Sequence, residues 1–413
     1  MTPAAVSLYA LLAAIVLSCT SRINVGIVAV ALAWLVGVYA GLRPDAVLAG
    51  FPSSLFVTLA GVTLLFSAAE SNGTIAVFAR RLLGTARGRA RLVPLIIFLI
   101  AGLIATVGPG AIVSVAVTVP MAMAIGLRAG IPPFLTALMV ANGANAGNLS
   151  PTSAVGIIAN TRMAEVGLGA HEWKVWAANF LAHALVAAVA YAALVWRTED
   201  RTVAAADEDR VQATRMHWLT AAVIAAWVAA VVIGGVPIGP AAFAAAALLV
   251  IARAAKEADA VKRMPWAAIL MVTGMALFVA LVERTGGIEL FTSLLARLAN
   301  AATVNGVIAF VTGLISTFSS TSAVVLPTFL PMAPGLVQQV GGGDPLAVAL
   351  SINVGASLVD VSPLSTLGAL CVAAVADPDR AADLFRKLMI WGLAMSVVGA
   401  VLCLLFAGWF ARL

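Results

Sequence analysis

A long apolar run at residues 133–164 is interrupted in its middle by small and polar residues. In lipid an unpaired backbone group is costly, so irregular backbone at membrane depth has to be buried in protein or to line a wet cavity. A broken helix of this kind is typical of a transporter binding site. A second apolar run, 345–377, is interrupted in the same way. The polar residues of the first interruption are Asn142, Asn145, Asn148 and Ser150–Ser153.

The composition excludes a soluble protein. Of 413 residues, 62% are hydrophobic and 10% are charged, and the mean hydropathy is +1.07, which predicts a multi-pass membrane protein that contacts the lipid bilayer. The net charge of +6 does not indicate nucleic-acid binding, because the Lys and Arg residues lie in loops between apolar runs. No basic segment precedes the first apolar run, so we expect a retained span rather than a cleaved signal peptide.

Ten apolar runs are candidate membrane spans, each of which needs about 20 residues. Two further apolar regions, 92–126 and 303–336, are split by turns at Gly108–Gly110 and Ser319–Thr321. Each arm has about 16 residues and extends about 24 Å, short of a hydrocarbon core about 30 Å thick. We therefore predict two re-entrant helical hairpins; two short spans joined by a tight turn are the alternative. The ten runs are 5–20, 24–41, 54–69, 133–164, 172–196, 218–234, 238–252, 266–283, 345–377 and 388–411.

The loop charges predict an orientation. With the N-terminus outside and both hairpins re-entrant, most Lys and Arg residues fall on the inside, as the positive-inside rule requires. This topology places both termini outside a plasma (inner) membrane. The one long polar segment, 197–217, mixes acidic and basic residues near the middle of the chain and is predicted to be a cytoplasmic linker.

The chain carries an internal repeat. The segments ESNGTIAVF and ERTGGIELF begin at Glu70 and Glu283, and the segments SPTSAVG and SPLSTLG begin at Ser150 and Ser362, so the two pairs keep the same register to within one position. This register predicts an all-α protein of two repeats, 1–196 and 218–413, each with five spans and one hairpin. An odd number of spans inverts one repeat relative to the other, which is expected of an alternating-access carrier with a midplane site.

The broken helices and hairpin tips are predicted to form the binding site together. No Lys or Arg lies in the middle of an apolar run, so an anion would bind to backbone N–H groups at broken-helix N-termini and to hydroxyl and amide donors. The predicted substrate-binding residues are Gly110, Ser114, Asn145, Asn148, Ser150, Thr152, Ser319, Ser320, Thr321, Ser362, Ser365 and Thr366.

Asp360 is the one acid predicted near the centre of a span. An intramembrane carboxylate is a functional candidate by default, so we predict a sodium ligand or a proton acceptor; a structural Asp that caps the second half-helix is the alternative. Sodium ions or protons are the expected coupling ions, with sodium near Asp360 as the candidate metal and no other cofactor. The predicted cation or coupling residues are Asn148, Ser319, Asn353 and Asp360.

Four other polar residues are expected to be structural. His183, midway along an apolar span, is predicted to be a satisfied interior histidine rather than a proton relay. Glu70 and Glu283 lie at span ends. Arg162 follows the first broken helix and is predicted to anchor the topology at the outer face, with steering of anions as the alternative.

The segments around the breaks resemble a known family. ANGANAGNLSPTSAVGIIAN at 141–160, SSTSAVVLPTFLP at 319–331 and the ESNG and ERTGG segments are similar to the malonate/dicarboxylate carriers of the ion-transporter superfamily, relatives of the divalent-anion:sodium symporters. In those symporters a Ser-Asn-Thr motif at each hairpin tip binds carboxylate and sodium. Ser319–Thr321 is similar to that motif with Ser320 in place of Asn, and Gly108–Gly110 lacks it. The resemblance also implies a homodimer, in which part of each protomer is a fixed scaffold and the rest moves the site.

A secondary carrier has three functional alternatives. A membrane subunit of a multi-component organic-anion transporter, served by a solute-binding protein, stays open. A membrane enzyme is disfavoured: residues 341–344 match the GxGD of intramembrane aspartyl proteases, but every Tyr is followed by Ala rather than by the second Asp, and no HExxH, GxSxG or P-loop signature occurs. A channel would not need two inverted repeats with broken helices. The sequence therefore predicts a dicarboxylate carrier coupled to sodium or protons.

Overall fold

The computed structural model describes residues 1–20, 23–83, 90–195, 212–318, 320–375 and 377–413. Every regular element within these ranges is helical, so the all-α prediction is confirmed. A helix pairs its backbone N–H and C=O groups internally, which a chain this apolar requires in lipid.

The first half of the described chain contains ten α-helices. In chain order they are α1 (Pro3–Thr20), α2 (Val25–Tyr39), α3 (Pro44–Leu48), α4 (Ser53–Ser71), α5 (Thr74–Leu83), α6 (Val93–Val107), α7 (Gly110–Arg128), α8 (Pro133–Gly147), α9 (Ala154–Glu165) and α10 (Glu172–Leu194).

The second half of the described chain contains eleven α-helices. They are α11 (Arg215–Val232), α12 (Ile238–Ile251), α13 (Glu257–Arg263), α14 (Trp266–Arg284), α15 (Gly287–Ala296), α16 (Val304–Phe318), α17 (Leu326–Phe329), α18 (Ala333–Gln339), α19 (Pro345–Leu358), α20 (Thr366–Ala373) and α21 (Pro378–Arg412). The helix starts follow the register of the sequence repeat, since α16 is the counterpart of α6 and α20 is the counterpart of α9.

Both predicted helix interruptions are present. The run 133–164 forms α8 and α9, which are separated by a non-helical segment from Asn148 to Ser153. The run 345–377 forms α19 and α20, which are separated by a 3₁₀ turn at Val359–Val361 and a loop that ends at Ser365. In each case the Ser-Pro pair lies in the gap, where proline cannot continue the preceding helical hydrogen bonding.

The first predicted hairpin differs from expectation in length. Its arms α6 and α7 pack against each other, but α7 has 19 residues and is long and apolar enough to cross a membrane. The prediction of two equally short arms is therefore wrong for α7, and the argument from length for a re-entrant arm fails there. The helix begins at Gly110 itself and continues past residue 126 to Arg128.

The second predicted hairpin is less regular on its return arm. After α16 the chain forms a π-helix at Thr321–Val325, then α17, a 3₁₀ turn at Leu330–Met332, and α18. Prolines at 327, 331 and 334 explain this succession of short pieces, because each lacks a backbone N–H and disturbs the helical ladder.

The apolar helices identify a multi-pass membrane protein. Five described helices are long and apolar enough to cross a membrane, or six if α14 and α15, which meet at an angle of 85°, are one span. Six shorter apolar helices accompany them, α1 and α2 among them. The total of ten spans stays a prediction.

The predicted linker, 197–217, ends a few residues earlier than expected. Residues 196–211 lie outside the described ranges, and α11 already begins at Arg215. The reason is a capping box: the Thr214 side chain accepts from the His217 N–H, and the His217 ring accepts from the Thr214 N–H. Polar residues at the end of the predicted linker therefore belong to a helix start.

Matching helix pairs in the two halves pack with their backbones in contact. A Cβ on Gly143 of α8 would lie less than 3.0 Å from the backbone of Phe98 in α6, and a Cβ on Gly355 of α19 would lie 2.5 Å from the carbonyl oxygen of Ala309 in α16. Small residues let membrane helices approach this closely. The internal repeat thus extends from helix order to helix packing.

We expect Gly143→Ala and Gly355→Ala each to lower the free energy of unfolding by about 1–3 kcal/mol, because the added methyl overpacks the helix crossing. Thermal unfolding of the purified protein in detergent measures the effect. Gly335→Ala is the matched control, since its Cβ would lie 3.6 Å from the nearest atom. Melting of Gly143→Ala and Gly355→Ala at the wild-type temperature would contradict the close crossings.

Candidate functional site

Asn148 joins the first break to the first hairpin tip. It is the C-cap of α8, and its Oδ1 accepts a hydrogen bond of 2.9 Å from the backbone N–H of Ala111 in α7. A Cβ on Gly110 would lie 3.4 Å from the same Oδ1, and Gly110 has a φ of +78°, which favours glycine. Asn148 thus accepts a hydrogen bond from one of the N-terminal N–H groups of α7. In this structure that N–H group is therefore not free to bind a ligand.

Ser150 and Thr152 close the end of α6. The hydroxyls of both side chains donate to the carbonyl oxygen of Thr106, at 3.0 Å for Thr152, and their own oxygens lie 3.1 Å apart. Thr106 lies in the last turn of α6, where carbonyl groups have no partner within the helix. In this structure the two hydroxyls, which were predicted to donate to the substrate, therefore donate to the protein backbone instead.

The two breaks share one capping geometry. The Ser153 hydroxyl accepts from the Gly156 N–H at 3.0 Å and donates to the carbonyls of Asn148 and Ser150. The hydroxyl of Ser365, its counterpart in the second repeat, accepts from the Gly368 N–H at 3.4 Å and donates to the carbonyls of Asp360 and Ser362. Both serines are the N-caps of their half-helices. Ser153 was not among the predicted site residues, although a serine just before a helix start is the usual sign of an N-cap.

Asp360 joins the second break to the second hairpin tip. Its Oδ1 accepts a hydrogen bond of 2.7 Å from the Thr321 hydroxyl, and the Ser316 hydroxyl lies 3.5 Å from the same oxygen. Ser316 and Thr321 also contact each other through their hydroxyl oxygens. The Asp360 carboxyl is partly buried, whereas Ser316 is fully buried and Thr321 is 5% exposed.

The Asp360 carboxyl has no basic partner among the described residues. Among the residues that the structure describes, no ion pair involves Asp360. A partly buried carboxylate bonded only to hydroxyls requires either a proton or a bound cation to offset its charge. The group therefore differs from Asn148, which occupies the equivalent position without a charge.

The atoms around Asp360 are the ligand types that a small hard cation prefers. The Thr321 hydroxyl lies 3.4 Å from the Ala356 carbonyl oxygen, so a carboxylate, two hydroxyls and a carbonyl surround one region. A softer metal has less support: within the described ranges, no three or more His, Cys, Asp or Glu residues form a group that could hold a metal ion. These residues fit sodium or a proton.

The other predicted residues of the second break have local roles. The Ser320 hydroxyl accepts from the Ala323 N–H at 3.2 Å and so caps the π-helical segment. Ser362 is buried, with its hydroxyl 3.4 Å from the Leu364 N–H, and Thr366 is exposed at the start of α20. Ser319 lies outside the described residues.

Three predicted residues do not join either cluster. Ser114 donates to the Ala101 carbonyl at 2.7 Å, inside the α6–α7 pair. Asn353 donates to the Ala349 carbonyl of its own helix at 3.0 Å, with its Nδ2 3.6 Å from the Met163 sulfur. The Asn145 side chain has no hydrogen-bond partner among the described residues. The positions of these three residues in the sequence do not indicate which neighbouring helix each side chain contacts.

Two residues expected to be structural are buried, and each has polar atoms without a partner among the described residues. His183 is fully buried, as expected of an interior histidine; its Nδ1 lies 3.0 Å from Asn142 Oδ1, and its Nε2 has no partner in the described chain. Arg162 is 5% exposed and pairs with Glu165 at 2.8 Å, and its Nε and one terminal nitrogen bond to no described residue.

The helix that follows each break packs against the other half of the chain. The helix after the first break, α9, packs on Thr321–Val325 and α17, and the helix after the second break, α20, packs on α7 and α8. Each second half-helix therefore contacts the hairpin region of the other half. This exchange brings the residues of both interruptions into one region of the protein.

The comparisons with known proteins concern the family and the fold. Residues 1–148 match the model of a family described as dicarboxylate carrier protein MatC N-terminus. The fold is similar to that of the YdaH transporter of Alcanivorax borkumensis, with a TM-score of 0.58 and 17% identity over 88% of this chain and 87% of that one. It is also similar to Neisseria gonorrhoeae MtrF, described with a class of antimetabolite efflux pumps, with a TM-score of 0.54 and 15% identity over 87% and 82% of the two chains. A search of curated protein sequences gave no match.

These similarities agree with the geometry of the chain. The family match covers the first hairpin and α8, as far as Asn148. At 15% and 17% identity, the two solved structures show the fold alone. The chain is therefore a helical membrane protein with the fold of two known transporters, and its N-terminal part, residues 1–148, is similar to the N-terminal part of dicarboxylate carriers.

Proposed function

We propose that this protein is a secondary active carrier of small dicarboxylates, of the malonate or C4-dicarboxylate type, that works by alternating access and is driven by a sodium or proton gradient. The observation that carries the proposal is the Asp360 carboxyl, which is bonded to the Thr321 hydroxyl at a helix break and lacks a basic partner among the described residues. An intramembrane carboxylate in such a place is typical of ion-coupled transport.

The substrate class rests on the family match and on the breaks. The matched family consists of dicarboxylate carriers. Helix α9 begins at the buried Ser153 and α20 begins at the partly buried Ser365, and the positive ends of both helix dipoles favour an anionic group. A dicarboxylate between them would interact with one helix N-terminus at each carboxylate, and a coupling cation near Asp360 would offset part of its charge.

The helix contacts support a division into a moving part and a scaffold. One group of mutually packed helices carries the breaks: α6, α7, α8, α10, α16, α19, α20 and α21. A second group packs among itself: α1, α2, α3, α4, α11, α12, α13, α14 and α15. We propose that the first group moves the site across the membrane and that the second forms the fixed scaffold of a homodimer, with the two repeats inverted and both termini outside the plasma membrane.

Uptake into proteoliposomes tests the proposal. We expect labelled malonate or succinate to accumulate when a sodium or proton gradient is imposed, and Asp360→Asn to reduce the gradient-driven rate by about tenfold or more, the effect of losing about 1.4 kcal/mol of ion binding. Asp344→Asn is the matched control, since Asp344 caps α19 by accepting from the Leu346 N–H and Asn serves equally as a cap.

The outcomes separate the two parts of the proposal. Uptake that is equally gradient-driven in Asp360→Asn would leave a carrier but make Asp360 structural. No uptake of any dicarboxylate under either gradient, with protein that elutes as one species on size exclusion, would contradict the dicarboxylate carrier itself.

Thr321 provides a test that distinguishes sodium from protons. If sodium binds at Asp360, Thr321→Val should raise the sodium concentration for half-maximal uptake by about tenfold, because it removes one oxygen ligand. Thr321→Ser keeps the hydroxyl and should behave as wild type. A rate that follows pH but not sodium in all three proteins would exclude sodium coupling and favour Asp360 as a proton acceptor.

A further inference from the structure

A fully buried polar seam runs between α8 and α10. It consists of Asn142 and Asn145 on α8 and Asn179 and His183 on α10, each 0% exposed. Asn142 and Asn145 were predicted to belong to the first interruption, and Asn145 to bind substrate, but the structure places both inside α8 and away from the gap that starts at Asn148. We call the four residues the α8–α10 polar seam.

The hydrogen bonds of the seam fix the orientation of its groups. Asn142 Nδ2 donates to the Leu138 carbonyl at 2.9 Å, so its Oδ1 is the atom that lies 3.0 Å from His183 Nδ1. Because an amide oxygen only accepts, His183 Nδ1 carries the proton, and Nε2 then presents a lone pair. Asn179 Nδ2 donates to the Asn145 carbonyl at 2.6 Å, which leaves Asn179 Oδ1 as an acceptor.

Four polar atoms of the seam have no partner in the part of the protein that the structure describes. They are three acceptors and one donor: His183 Nε2, Asn179 Oδ1, Asn145 Oδ1 and Asn145 Nδ2. Buried polar side chains are nearly always paired in native proteins, by protein groups or by a bound species. The residues lie within one turn of each other on two packed helices, at i,i+3 and i,i+4 spacing. The excess of acceptors favours an occupant that is positively charged or that donates hydrogen bonds, such as a cation or water.

The electrostatic surroundings also favour a cation. The seam lies in the last two turns of α8, which ends at Gly147, so the negative end of the helix dipole is directed toward it. Neither α8 nor the helices α6 and α19, which pack on the two helices of the seam, contains a charged residue. Charged residues do occur on other elements that pack on α8 or α10: Asp360 on the 3₁₀ turn Val359–Val361, Arg128 at the end of α7, Arg162 and Glu165 on α9, and several on α21. On α10 the charged residues are Glu172 and Lys174, at the start of the helix, and Lys174 bonds to the Ala411 carbonyl at 2.9 Å.

We propose that the α8–α10 polar seam binds one monovalent cation, sodium being the probe, at a site with no residue in common with the Asp360 cluster. The Asn145 and Asn179 amide oxygens would be its oxygen ligands, and His183 would be fixed in the required tautomer by Asn142. Binding of the cation does not depend on whether the protein carries a dicarboxylate.

Sodium-dependent thermal stability of the purified protein tests this site. The measurement uses Asp360→Asn, in which the other candidate site is disabled, with sodium replaced by choline at constant ionic strength. We expect sodium to raise the melting temperature of Asp360→Asn, because a ligand that binds only the folded state stabilises it. Adding Asn145→Ala should raise the half-saturating sodium concentration by about tenfold or more.

Asn145→Asp makes the test specific to charge. Its side-chain atoms bond to nothing in the described chain, so the substitution breaks no hydrogen bond seen there and should lower the half-saturating sodium concentration. Asn305→Asp, at a residue whose Oδ1 is also unpartnered among the described residues but lies in α16, is the matched control and should have no effect on it.

The proposal is overturned if sodium does not change the melting temperature of Asp360→Asn, or if Asn145→Ala and Asn145→Asp respond to sodium as the control does. In either case the seam holds neutral water only. Loss of dicarboxylate uptake with an intact sodium response would instead contradict the proposed function and leave the cation site in place.

Discussion

Every break of a helix inside a membrane exposes backbone groups that lipid cannot satisfy, and the rest of this structure depends on how the two breaks solve that problem. Ser153 and Ser365 each pair the N–H group of the following half-helix and the carbonyls of the preceding turn. In the first half, Ser150 and Thr152 also close the end of α6. Most hydroxyl groups at the two breaks therefore form hydrogen bonds to the protein backbone, and few polar groups there are free to bind a ligand.

The same scaffold is used twice with different chemistry. Asn148 and Asp360 occupy equivalent positions and each holds a hairpin tip, but Asn148 accepts from a backbone N–H whereas Asp360 accepts from a side-chain hydroxyl. The Asn148 amide is neutral, so it needs no counter-charge. A carboxylate in this position needs a proton or a cation. The two halves thus use equivalent positions differently, and only the second places an acidic side chain there.

The sequence predicted the helical class and the positions of both helix interruptions, because proline, serine and the apolar runs encode these locally. It did not predict which partners the polar residues would find. Asn145 and His183 remain partly unpaired within the described chain because of the register between α8 and α10, and Arg162 is buried because α9 packs on the other half. Such contacts join residues far apart in the chain. The length of α7 was also missed, since the helix includes Gly110 from the predicted turn and extends beyond residue 126 to Arg128.

The most direct test of this account is an experimental structure of the protein in lipid nanodiscs with saturating malonate and sodium. The account predicts dicarboxylate density between the two interruptions, with the N-termini of α9 and α20 directed at its carboxylates. Dicarboxylate bound away from both interruptions, or continuous helices through residues 148–153 and 359–365, would contradict it.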